Sequence, residues 1–217
     1  AYPRYARAYA ALANTYSLEA AHWWSPDPRA SLQHGQALAT RAVELAPALP
    51  QTHYALARVL RDTGDLGQAE EEANEVIRLD PGYADGYLVL ASILTYAGEA
   101  RESLKQYDVA RRLNLPQTAR YLFHRGQAYF TLADYPAAIR LFEQGLGQDP
   151  NSQRIRVWLA AAYAQAGRNE EAEWLVDEFM MAHPGISAHR IASTVPYRHE
   201  VDSERLIAGL LAAGFPE

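Results

Sequence analysis

The side chains of this sequence best suited to proton transfer or metal ligation near neutral pH are His22, His34, His53, His124, His183, His189 and His199. No two of them form a His-x3-His pair, the spacing that would stack two imidazoles on one helix face for zinc. They read as histidines of helix ends and surfaces. Cysteine is absent, which excludes a disulfide framework and a thiolate metal site. The sequence also lacks Gly-x-Gly-x-x-Gly, a phosphate-cradling loop ending in Gly-Lys-Ser/Thr, and a Gly-x-Ser-x-Gly nucleophile elbow. The expectation is a chain that is not an enzyme and that holds no metal or cofactor. Glu70-Glu71-Glu72 is a charge run of the kind that solvates an outer helix face. Trp23 and Trp24 are adjacent in the stretch His22-Trp23-Trp24-Ser25-Pro26-Asp27-Pro28-Arg29. They form either an exposed association surface for a partner or a second copy, or a core extension folded back on the first helices.

The elements that must position these groups repeat. One pattern recurs about every 34 residues, five times over. The front halves read Tyr9-x2-Leu12-Ala13-x2-Tyr16, His53-x2-Leu56-Ala57-x2-Leu60, Tyr87-x2-Leu90-Ala91-x2-Leu94, Leu122-x2-Arg125-Gly126-x2-Tyr129 and Arg156-x2-Leu159-Ala160-x2-Tyr163. The back halves read Gly35-x3-Ala39, Ala69-x3-Ala73, Ser103-x3-Tyr107, Ala138-x3-Phe142 and Ala172-x3-Val176, and each unit closes on Pro47, Pro81, Pro116, Pro150 or Pro184. A fixed period of this length marks stacked supersecondary units, each burying its apolar face on its neighbour. With no strand-like alternation and 49% hydrophobic residues, the fold class is all-α.

Five units follow, spanning 6–49, 50–83, 84–118, 119–152 and 153–186, with 187–217 as a capping segment. Gly64, Gly98 and Gly167 fall between the two helices of their units, where a left-handed residue closes the first helix. Unit one is about ten residues longer, which predicts a loop near 22–31 held out of helix by Pro26 and Pro28. In the tail, Asp202 is placed to cap a last helix that Gly214 ends. Arg125 occupies a core Leu position of unit four, so it either pairs with an acidic neighbour or marks a distorted unit.

The net charge of −6 is spread along the chain, which argues against direct nucleic-acid binding. No run approaches the length of a membrane span and no export leader opens the sequence, so a cytoplasmic location is expected. Ala1 abuts the first helix without an initiator Met, as in a piece of a longer protein.

The repeat resembles the tetratricopeptide repeat (TPR), whose signature runs large-x2-Leu-Gly/Ala-x2-Tyr, Ala-x3-Phe, then Pro. The widened first unit, Val195-Pro196-Tyr197-Arg198 and the terminus Leu210-Leu211-Ala212-Ala213-Gly214-Phe215-Pro216-Glu217 narrow this further. Together they resemble the C-terminal TPR region of bacterial class III adenylate/guanylate cyclase-type proteins, and related regions of winged-helix regulators. The resemblance implies a right-handed superhelical solenoid of about five helix–turn–helix units with a C-terminal capping helix. It also implies a regulatory module for an attached output domain; a free-standing scaffold is the alternative.

In such a solenoid the first helices line a concave groove. The resemblance puts Arg7, Asn14, Tyr54, Arg58, Arg61, Tyr96, Arg120, Phe123, Gln127, Phe130 and Arg154 in it, with Asp62 and Asp85 as counter-charges. Such a groove suits a protein or peptide ligand carrying acidic and apolar residues. Alternatively, the arginines pair with acidic neighbours on adjacent repeats. The carboxylate clamp of chaperone-binding TPR proteins would need Lys and Asn where this chain has Ala10, Asn14, Ala55, Asp85 and Val89; only Asn14 fits.

Overall fold

The computed structural model describes residues 3–22 and 24–217, so Trp23 lies outside the described residues. Among them the regular structure is entirely helical: α1 (Pro3–Ala21), α2 (Pro28–Leu45), α3 (Pro50–Thr63), α4 (Leu66–Leu79), α5 (Ala84–Tyr96), α6 (Ala100–Arg112), α7 (Ala119–Thr131), α8 (Tyr135–Gln148), α9 (Gln153–Gln165), α10 (Asn169–Ala182), α11 (Ala188–Ala192) and α12 (Glu200–Ala213). Successive helices pair as hairpins from α1–α2 to α9–α10, each hairpin packs on the next, and α12 lies against α9 and α10. This is the all-helical solenoid that the sequence period predicts.

The two helices of a hairpin are built differently. α5 sits between neighbours and buries an unbroken run from Leu88 to Tyr96. α4 buries only Leu66, Ala69, Ala73 and Val76, one stripe of an amphipathic helix. Small residues let the pair touch: a Cβ on Gly126 would stand 2.5 Å from a ring carbon of Phe142. Starts are set by side chains, with Asp27, Asp65, Thr118 and Asp134 each accepting a backbone N–H of the first turn. Gly64, Gly98 and Gly167 close first helices at positive φ, and Ala133 takes the same corner at φ 58° where unit four has no glycine.

A second regularity emerges at the first signature position. His53, Tyr87 and Arg156 each reach back six residues to the carbonyl of Pro47, Pro81 and Pro150, at 2.8, 3.2 and 3.1 Å. In these three units the proline carbonyl left at the end of the preceding repeat thus finds its donor in the next helix; the Pro116 carbonyl accepts the Thr118 N–H instead.

Two expectations change. The loop near 22–31 shrinks to a connection ending at Asp27, because Pro28 is tolerated in the first turn of α2, where its missing N–H leaves no bond unmade. The extra residues instead lengthen α1 to 19 residues and α2 to 18, against 13 or 14 in the later hairpins. Asp202 does not cap α12; His199 stands at that position, and Asp202 is a turn inside, bonded to Arg205 at 2.8 Å. Gly214 does end α12, at φ 104°. Arg125 donates to Tyr121 Oη at 2.9 Å and to Asp108 at 3.1 Å, so its guanidinium links α7 to α6. The terminus is a cap: Phe215 packs edge-on to Phe179 and Pro216 accepts the Ala188 N–H at 2.7 Å.

Candidate functional site

The inner faces of the first helices open on a cavity of about 750 Å³. Asp62 and Thr63 reach it from the end of α3, Tyr96 from α5, and Arg154 and Trp158 from α9. Its other walls are the end of α1 with the start of α2, and the tail from Arg190 to Pro196. First hairpin, last hairpin and tail therefore meet across one space. His22, at the end of α1, is close enough to Arg154 to feel its charge; burial and then that charge lower its pKa to about 4.

The tail closes one edge. The Arg198 N–H donates to the Tyr96 carbonyl at 2.8 Å. Tyr197 sets its ring edge-on to Tyr96, with centroids 5.5 Å apart, and its hydroxyl meets Thr131 Oγ1 at 3.0 Å. Pro196 lies against Gly64, and the His199 ring covers Gly98. Val195-Pro196-Tyr197-Arg198 thus crosses the ends of α3, α5 and α7 in turn.

The arginines divide into two classes. Arg61 is buried, ion-paired to Asp62 at 2.6 Å and bonded to Ser92 Oγ at 2.9 Å. Asp62 also accepts from Ser17 Oγ. Arg120 pairs with Asp85 and donates to Tyr54 Oη at 2.7 Å. Arg120 thus pairs with an adjacent repeat, whereas the partner of Arg61 is the next residue of its own helix. Arg58 and Arg154 instead lie over the rings of Tyr54 and Phe123, at 5.8 and 4.6 Å, with no carboxylate at ion-pair distance among the described residues. Burial, against the opposing charges of Tyr96 and Asp62 and with those of Arg61 and Arg58, pulls the Arg154 guanidinium below its usual pKa. Burial and the charges of Arg61, Arg154 and Arg120 hold His124 well below its ordinary value, a neutral imidazole whose Nδ1 donates to Gln127 Oε1 at 3.0 Å.

Of the eleven expected groove residues, Tyr96 and Arg154 line the cavity, and Tyr54, Arg58, Arg61 and Arg120 form the charged network beside it. Phe130 is a correction: it is 1% exposed, walled by Trp158 and Tyr135, and belongs to the core. Phe123 and Gln127 are buried as well, and neither lines the cavity. The Gln127 Oε1 accepts from the Tyr96 hydroxyl at 3.3 Å. Arg7 is exposed and Asn14 half-buried on α1, and neither lines the cavity. Trp24 is 69% exposed and stacks on His22 at 4.8 Å. Sequence reasoning missed Trp158, the start of α2 and the tail as walls; no repeated position marks them. Among the described residues no three His, Asp or Glu side chains gather as a metal-holding group, and no helix is long and apolar enough to cross a membrane.

Comparison with known proteins agrees with this architecture. Family models described as tetratricopeptide repeat match residues 88–139 and 129–193, and one described as the second ARM domain of tetratricopeptide repeat protein 21 matches 7–98. The cellulose synthase operon protein C of Xanthomonas axonopodis pv. citri is 25% identical over 181 residues, which is 77% of this chain and 12% of that protein. The chain spans about an eighth of the length of the curated relatives it matches. A thermophilic TPR protein of Thermus thermophilus superposes with a TM-score of 0.63 at 25% identity, covering 84% of this chain and 92% of that one. YrrB, described as a TPR protein with an unusual peptide-binding site, has a TM-score of 0.53 at 17% identity over 81% of this chain and 90% of its own. Matched segments, hairpin stack and solved folds converge on a tetratricopeptide-repeat fold for this chain.

Proposed function

We propose that this chain is a non-catalytic protein-interaction module that takes an acidic, partly apolar segment of a partner into the cavity beside Arg154. One observation carries the reading: a largely buried guanidinium on the cavity wall, with no carboxylate at ion-pair distance among the described residues, flanked by Trp158 and Tyr96. A buried charge left unpaired costs several kcal/mol, and an incoming carboxylate would recover much of that as a charge-assisted bond. The cavity lining supports the sign of the ligand: it holds Arg29, Arg154 and Arg190 against Asp27 and Asp62, and Asp62 is already engaged by Arg61 and Ser17. Stacked repeats generate concave binding surfaces of this kind. With the tail across one edge and the first hairpin across the other, the ligand enters as a chain end or loop.

The resemblance to the repeat regions of cyclase-type and winged-helix regulator proteins supports a further step. The tail motif that carries that resemblance is part of the cavity wall, so occupancy would be felt by the tail and passed to an attached output domain. A free-standing scaffold would use the same cavity without that step.

The test is selection of peptides from a random display library on the intact chain, followed by calorimetry against Arg154→Gln. Peptides carrying Asp or Glu beside an aromatic residue are expected to dominate. Their affinity should fall at least about tenfold in the variant. Selected peptides without acidic residues, or equal affinity for Arg154→Gln, would refute the reading.

A further inference from the structure

A second surface lies on the outer side of the solenoid, remote in its lining residues from the cavity. Between α8 and α10 runs a groove of about 530 Å³ floored by Leu146, Leu159, Tyr163 and Leu175. At Gly147 a Cβ would meet nothing within 4 Å, so the groove has an open slot there. Trp174 stands on its rim 64% exposed, and one helical heptad further on Met181 is exposed as well. Around this apolar strip the charge is one-sided. α10 reads Asn-Glu-Glu-Ala-Glu-Trp-Leu-Val-Asp-Glu-Phe-Met-Met-Ala, five acidic residues and no Lys or Arg. Glu143 adds a carboxylate from the α8 wall.

The chain itself shows what this surface receives. Arg168 lies over the Tyr163 ring at 4.1 Å while its guanidinium pairs with Glu171 at 3.0 Å and Glu143 at 3.6 Å. One end of the groove is thus filled by a planar cation stacked on an aromatic floor between two carboxylates. One turn along, Glu170 and Trp174 repeat the pairing of carboxylate and aromatic face, and Glu170 has no cationic partner among the described residues. We propose that this groove docks a basic amphipathic helix of a partner protein, its Arg over Trp174 against Glu170 and its aliphatic residues on the Leu146–Leu175 floor. The assignment is independent of the Arg154 cavity.

The probe is a short helical peptide of Ala, Leu and Arg with Leu and Arg on one face, beside its counterpart with Glu for each Arg. Fluorine NMR of the fluorotryptophan-labelled chain, with Trp174 assigned by Trp174→Phe, reads the site directly. The Arg peptide is expected to shift the Trp174 resonance, more weakly as salt rises. Calorimetry should show at least about tenfold loss of affinity in Trp174→Ala and a smaller loss in Glu170→Gln. Both side chains are exposed, so circular dichroism of the variants should match the parent. The proposal is overturned if the Glu peptide shifts Trp174 equally, if the Arg peptide binds while Trp174 stays unmoved, or if it does not bind.

Discussion

Arg198 donates its backbone N–H to the carbonyl of Tyr96 at 2.8 Å, tying the tail to the end of α5, two hairpins before the α9–α10 pair on which α12 packs. That carbonyl is one of the four at a helix C-terminus that lack an intrahelical donor, so the bond satisfies an orphan rather than competing with the helix. Its consequence is global. A repeat array is ordinarily a chain of nearest-neighbour interfaces; here the cap also touches hairpins two, three and four.

Removing the centre of that tie should therefore lower both stability and cooperativity. Tyr197→Ala deletes the ring against Tyr96 and the hydroxyl bond to Thr131. A loss of about 2 kcal/mol is expected, below the range for a fully buried aromatic because Tyr197 is half-buried. Urea denaturation should also broaden, with a smaller m-value, as the early hairpins uncouple from the cap. An unchanged m-value and midpoint would show that the tail rests on the solenoid without bracing it.

Gly98 tests the same crossing from the other side. It sits at φ 88°, and a Cβ there would be 2.2 Å from His199 Cδ2. Gly98→Ala combines left-handed strain of about 1–2 kcal/mol with displacement of an imidazole. His199→Ala added to it should restore the second part and not the first. A double-mutant cycle measures the split. Additive losses would mean that the ring gives way freely.

His53 sets a pH dependence. Its Nδ1 donates to Glu72 at 2.6 Å and its Nε2 to the Pro47 carbonyl at 2.8 Å, and only the imidazolium can donate from both. Burial alone would lower the pKa; the Glu72 hydrogen bond, the Pro47 bond and the Glu72 charge outweigh it, and the pKa is raised. The folded value then lies above the unfolded one of about 6.5. The stabilisation is complete below about pH 6.5 and lost as pH rises through the folded value. As pH rises above about 6.5, stability of the parent should fall more steeply than that of His53→Gln. Parallel slopes would remove the imidazolium from the account.

How far these features were legible depends on whether they recur. Hairpin packing demands the same small and large residues at every turn of the stack, so Gly98, Ala138 and Phe142 announced their places by phase. Asp202 was misplaced because local capping chemistry cannot see that Arg205, Thr131 and the tail path draw the helix start back to His199. Phe130 has the right phase for an inner face, yet Trp158 from the next hairpin fills the space before it. The tail crossing was invisible for another reason. It is a single event made partly by backbone groups, which carry no residue-specific signal.

Arg61 and Arg154 separate fold from function most sharply. Both are arginines of the inner face, but Arg61 is paired with Asp62 and Ser92 while Arg154 has only the Phe123 ring. Arg61→Met strands Asp62 among buried neighbours and should cost about 3 kcal/mol, the scale for breaking a buried pair. Arg154→Met removes a desolvated charge with no carboxylate at ion-pair distance among the described residues, so stability should stay level or rise by about 1 kcal/mol. Binding of an acidic peptide should nonetheless be lost in the second variant. A residue whose removal leaves the fold unharmed and abolishes binding is held in place for the ligand. Chemical denaturation of the two variants checks the first half, and an equal loss of stability in both would make Arg154 a structural residue instead.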